Sequence, residues 1–136
     1  MKRARALIPL SRDHHEALVL ARRALEPHRP GAAPHELLPV VRQRWHEHLE
    51  PHFCKEEEVL VPALVAANAA AAAKELCSQH ERLRAPFAPL DEGDAAALPA
   101  WGEALRDHVQ WEERQLFPMA EKILELTRLE RQLESA

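Results

Sequence analysis

Residues 45–62 (WHEHLEPHFCKEEEVLVP) and 101–118 (WGEALRDHVQWEERQLFP) are two copies of one segment. With a shift of 56, Trp45 falls on Trp101, His52 on His108, Glu56 and Glu57 on Glu112 and Glu113, Leu60 on Leu116 and Pro62 on Pro118. A repeat held in register across so many residue types is a duplication, not a coincidence of composition. What it repeats is His-x-x-x-Glu on a helical pattern. Residues four apart on an α-helix lie one above the other, about 6 Å apart along the axis, so imidazole and carboxylate leave one face. Two such pairs facing each other make a metal site.

The bounds of the chain favour helices around that site. At 136 residues it is one domain (1–136), long enough for a sizeable core. Alanine and leucine dominate, tyrosine is absent and there are three glycines, a composition for helix rather than sheet. A net charge of −4 with both signs interspersed gives no nucleic-acid-binding surface. Two cysteines, Cys54 and Cys77, are too few for a disulfide framework and fit a reducing compartment. No apolar run reads as a signal peptide or a membrane span, so the expected location is the cytoplasm. The lack of tyrosine excludes a tyrosyl radical.

Four helical stripes can be traced. The first helix is expected from Ser11, as N-cap, to about Glu26, before the breakers Pro27, Pro30, Gly31 and Pro34. His14 falls on its apolar stripe, and His15, a residue further round, is the reserve. The second spans roughly 36–66, its stripe reading Val41, Trp45, His48, His52, Glu56, Val59 and Ala63, with Pro51 and Pro62 expected to bend it. The third begins at Asn68 as N-cap and passes through the alanine run to about Arg84, with Ala73, Leu76, His80 and Leu83 inward. Leu10-x-x-x-His14 is echoed by Leu76-x-x-x-His80. The fourth follows Pro99, with Trp101, Leu105, His108, Glu112, Leu116 and Met119 inward, and an amphipathic C-terminal helix occupies about 119–135. The expected fold is all-α, an up-down-up-down four-helix bundle over about 7–120.

Each stripe carries one histidine (His14, His52, His80, His108), and two add a carboxylate one turn on (Glu56, Glu112). That donor set suits first-row transition metals, iron and manganese ahead of zinc. Burying it without a cation would cost several kcal/mol. Glu56 and Glu112, equivalent in the two repeats, are expected to bridge the ions. Glu57 and Glu113 sit about 100° off the ligand face and are expected to be solvated or to support ligands rather than ligate. Trp45 and Trp101 read as core plugs, His28, His35 and His46 as surface residues, and Cys54 and Cys77 as inert thiols.

The pattern His, His-x-x-x-Glu, His, His-x-x-x-Glu, one element per helix, resembles the hemerythrin-like (HHE cation-binding) family, and the phrases HFCKEEEVLVP and HVQWEERQLFP resemble its paired signatures over residues 7–120. The resemblance implies two non-haem iron ions, carboxylate-bridged and oxo- or hydroxo-bridged, with manganese or zinc as substitutes. It also implies binding of, or reaction with, oxygen, nitric oxide or peroxide in sensing or stress response. Oxygen carriers of that family use five histidines, two of them four apart on the third helix. Here Leu76 and Arg84 flank His80 at that spacing. His48, His15 or water remain as sources of a further ligand, or the fifth ligand is missing, and a more open site favours redox chemistry or sensing over oxygen carriage. An iron-storage or metal-dependent regulatory module is the alternative. Expected partners are a small diatomic ligand or peroxide and an unidentified protein redox partner, with the chain a monomer or homodimer.

Overall fold

The computed structural model describes residues 2–136, and among these every regular element is helical. Helix α1 is Ile8–Leu25, entered through a 3₁₀ turn at Arg5–Leu7. Helix α2 covers residues 34–66, α3 is Ala70–Asp91, α4 covers residues 98–123, and α5 is Leu126–Ser135. α1 lies along α4, and α3 packs against α4 and the C-terminal part of α2. No helix is long and apolar enough to cross a membrane, among the described residues.

Several boundaries depart from the sequence reading, each for a local reason. Ser11 does not cap α1. The helix starts earlier, with Pro9 in its first turn where no N–H is needed, and the Ser11 hydroxyl donates to Glu113 Oε2 at 2.6 Å. Asn68 does not cap α3 either. It takes φ = 63° in the turn from α2, a left-handed conformation that asparagine tolerates better than most residues. α3 runs past Arg84 through Pro86 and Pro89 to Asp91. Two internal prolines oppose this by about 3 kcal/mol each, but the extension buries Phe87 and Leu90, and Phe87 stacks on Trp45 with centroids 4.2 Å apart. The C-terminal helix begins at Leu126, not near 119. The backbone breaks at Leu124, and the Glu125 carboxylate caps the new helix by accepting from the amides of Thr127 and Arg128.

α2 and α4 do not simply kink at their prolines. Each proline at 51, 62 and 118 follows a five-residue π-helical stretch: Trp45–Leu49, Glu56–Leu60 and Glu112–Leu116. The amides of Glu50, Val61 and Phe117 reach back five residues to the carbonyls of Trp45, Glu56 and Glu112. Widening the turn accommodates a proline ring that would otherwise press on the carbonyl four residues back. It also changes which residues face inward. In α2 the buried positions are Leu37, Val41, Trp45, Leu49 and Phe53, overlapping with His52, Glu56, Leu60 and Leu64, so Leu49, Leu60 and Leu64 replace the expected His48, Val59 and Ala63. In α4, Phe117 and Ala120 are buried in place of Met119.

The apolar residues form two cores. One holds Trp45, Leu49, Phe53, Leu83, Phe87, Trp101 and Leu105, and the other holds Leu7, Leu10, Leu60, Leu64, Leu76, Leu116 and Phe117, closed by Leu129 and Leu133 of α5. Along every long helix the passage from one core to the other falls at a histidine or glutamate of the expected site.

α1 and α4 approach closely because Gly102 faces α1. A Cβ there would stand 2.9 Å from Ala24 Cβ and 3.0 Å from the Ala21 carbonyl oxygen. Gly102→Ala should therefore destabilise the chain by about 1–2 kcal/mol, the overpacking exceeding the roughly 1 kcal/mol that alanine returns in helix propensity. Thermal unfolding checks this, and a raised melting temperature would contradict the close contact.

Candidate metal centre

Among the described residues, the buried polar or charged side chains are His14, His52, Glu56, His80, His108 and Glu112, and no others. Both glutamates are 0% exposed. Burying two carboxylates and four imidazoles between apolar cores is unfavourable unless the groups satisfy one another or a cation does so. The carboxylates face both ways. Glu56 Oε1 lies 3.1 Å from His80 Nε2 and its Oε2 lies 3.5 Å from His52 Nε2. Glu112 Oε1 lies 2.7 Å from His14 Nε2 and its Oε2 lies 3.4 Å from His108 Nε2. The donor atoms form two groups that share Glu112: Glu56, His80, His108 and Glu112, and His14, His52 and Glu112.

The other nitrogen of each ring is also held. Glu113 Oε2 accepts from His14 Nδ1 at 2.5 Å, Asp13 Oδ2 from His52 Nδ1 at 3.0 Å, Glu57 Oε2 from His80 Nδ1 at 2.7 Å, and Gln79 Oε1 from His108 Nδ1 at 2.7 Å. Acceptors at all four Nδ1 positions place the protons there and leave the Nε2 lone pairs aimed at the centre, the tautomer a metal requires. Arginines hold two of the acceptors: Arg84 donates to Glu57 at 2.9 Å and Arg3 to Glu113 at 3.2 Å. Glu57 and Glu113 thus take the supporting role, while Asp13, Gln79, Arg3 and Arg84 carried no signal in the repeat itself. The echo of Leu10–His14 in Leu76–His80 could have found the first two, since Asp13 and Gln79 precede the echoed histidines.

The remaining sequence candidates lie elsewhere. His15 and His48 are exposed and line a surface groove of about 310 Å³ beside Asp13, so neither joins the cluster. For His48 the cause is the π turn at Trp45–Leu49, which turns Leu49 inward instead. His28, His35 and His46 are exposed. Cys54 and Cys77 are free and partly buried, and burial pushes both thiols up, aided at Cys54 by Glu50, which makes them poor nucleophiles.

The donor set fits a cation. Among the described residues, four of the six buried side-chain atoms that lack a hydrogen-bond partner are His52 Nε2, Glu56 Oε2, His108 Nε2 and Glu112 Oε2, all turned into the cluster. Such atoms want a partner that no other side chain supplies. Protons are the substitute in the metal-free chain. Burial opposes protonation of His14, but Glu112 and Glu113 outweigh it and raise its pKa to about 9. His52 and His80 are raised in the same way, burial being overcome by Glu56 together with Asp13 or Glu57. Burial would raise Glu112, yet His108 and His14 hold it well below the carboxylate range.

A pH dependence follows from these shifts. The His14 pKa lies above an unfolded value of about 6.5, and His52 and His80 are shifted the same way, so the His14 contribution to stability is fully present below that pH and is lost as pH rises through about 9. Chelator-treated protein should therefore lose melting temperature between pH 6.5 and 9.5, by up to a few kcal/mol in stability. Cation affinity should rise over the same range, because binding displaces the protons. Calorimetry at a series of pH values checks both, and a flat apo profile would contradict the protonated cluster.

The family model described as the Hemerythrin HHE cation binding domain matches residues 7–120. Neither a curated protein nor a solved structure matches the chain. The matched span begins at the 3₁₀ turn before α1 and ends within α4, so it contains all six buried polar residues of the cluster. The buried histidine–carboxylate centre and the matching family model agree: this chain belongs to the hemerythrin HHE cation-binding domain family.

Proposed function

We propose that the chain is a non-haem di-iron protein of the cytoplasm, with four of its helices running alternately up and down around the metal pair. His14 and His52 would hold one ion and His80 and His108 the other, with Glu56 and Glu112 shared between the two. The observation that carries this reading is that each buried glutamate turns one oxygen toward each histidine pair. The alternation of the two cores along successive helices supports the up-down order. A hard carboxylate and imidazole set favours iron or manganese over softer ions. Iron held there would supply one-electron redox chemistry. The chain's own residues supply the rest: Nδ1 acceptors orient the rings, and the two apolar cores exclude water.

The ligand class is small. A void of about 10 Å³ borders His14, His52 and His108 and is otherwise walled chiefly by Ala17, Leu49, Phe53, Leu105 and Val109. That is room for about one water-sized molecule, which suits oxygen, nitric oxide or peroxide better than a bulkier substrate. We infer reaction with or sensing of such a ligand rather than storage of iron, since the void has no space for a mineral.

Elemental analysis of protein from iron-sufficient cells should approach two irons per chain. His14→Ala and Glu112→Ala should lose metal, the glutamate variant weakening both ions, whereas His15→Ala should keep the full complement. An iron-free protein holding a single zinc, or a Glu112→Ala variant with two irons and unchanged spectra, would overturn the di-iron reading.

A further inference from the structure

The duplication extends one layer beyond the expected ligands. His14 and His80 are equivalent with a shift of 66, and so are the residues before them, Asp13 and Gln79. Asp13 accepts from His52 and Gln79 from His108, which are themselves equivalent in the other repeat. Glu57 and Glu113 complete the set, each accepting from the histidine of the opposite family, His80 and His14. Three of these four pairs keep their residue type, and the symmetry breaks in the fourth, where an aspartate faces a glutamine.

That break places a full negative charge behind one ring and a neutral amide behind its counterpart. The amide orientation is set by a second contact: Gln79 Nε2 donates to Glu75 Oε1 at 3.0 Å, so its Oε1 is the atom that faces His108. Glu57 and Glu113 are each paired with an arginine, which offsets their charge. Asp13 has no arginine or lysine partner among the described residues, and its ion contact is with His52 at 3.0 Å. The carboxylate behind His52 is therefore the outer-layer anion whose charge is not already cancelled.

We propose, resting on the two-cation reading above, that Asp13 and Gln79 make the two metal positions unequal, Asp13 strengthening the hold of the His52 side on its cation. A carboxylate that accepts Nδ1–H makes the imidazole a stronger donor at Nε2, and its charge attracts the cation directly, whereas an amide orients the ring without either effect. Asp13 and Gln79 act through His52 and His108, so both are positioning residues.

Asp13→Asn keeps a side-chain oxygen that can accept from His52 and removes the charge, and Gln79→Glu adds a charge behind His108. Co²⁺ is titrated into metal-free full-length protein against a chromophoric competing chelator, with melting curves of each metal-free variant as the folding control. Asp13→Asn should lower the overall affinity for two Co²⁺ ions by about tenfold, the low end for such supporting residues because the aspartate is half exposed. Gln79→Glu should raise it by a similar factor, and the double variant should return to within about threefold of wild type. If these residues only orient the rings, Asp13→Asn changes nothing and Gln79→Glu does not tighten binding, an outcome that overturns the proposal while leaving the metal centre intact. Wild-type protein that takes up fewer than two Co²⁺ ions overturns the two-cation reading and this proposal with it.

Discussion

Six titratable side chains lie buried where two apolar cores meet, and the rest of the architecture answers to that fact. Carboxylates and imidazoles at such positions each oppose folding by several kcal/mol unless partnered. The fold meets the demand in two layers. Inside, imidazole Nε2 atoms and carboxylate oxygens converge and leave four atoms without a hydrogen-bond partner, a donor set that fits a cation. Outside, every Nδ1 finds an acceptor, so no ring is free to rotate or to exchange its tautomer.

The π turns connect this chemistry to the backbone. Two of the three begin at Glu56 and Glu112, at the centre of the site, and each precedes a proline. A strictly α-helical α2 would carry a continuous three-and-four stripe and would bring His48 inward. The wider turns instead give spacings of four, Trp45 to Leu49 to Phe53 and His52 to Glu56 to Leu60. Local widening costs hydrogen-bond geometry, and here it sets which histidine of α2 reaches the centre. The same device recurs in α4 because the proline recurs in the duplicated segment.

The supporting layer draws the terminal parts of the chain into the site. Arg3 reaches Glu113 across 110 residues, and Arg84 ties Glu57 to Glu50 on α2. Glu113 is held down to about pH 2 despite partial burial, chiefly by His14 and Ser11, so it stays an anion at any working pH. α5 closes the second core with Leu129 and Leu133, which keeps water from the end of the bundle nearest Phe117.

Residue types and their periodicity alone determined the helical class, the duplication, and the six buried polar residues, because a histidine or glutamate on an apolar stripe is conspicuous wherever the stripe is regular. His14 over His15 was legible for the same reason. Tertiary structure decided everything that crosses between helices or departs from the 3.6-residue period. His48 lies outside the cluster because a proline-linked π turn rephases α2, and α3 runs through Pro86 and Pro89, where its extension buries Phe87 and Leu90 in the core and stacks Phe87 on Trp45. Asp13 and Gln79 are ordinary polar residues in the sequence. The echo of Leu10–His14 in Leu76–His80 marks their positions, but only the approach of α1 to α2 and of α3 to α4 puts them behind His52 and His108, hydrogen bonds 39 and 29 residues apart in the chain.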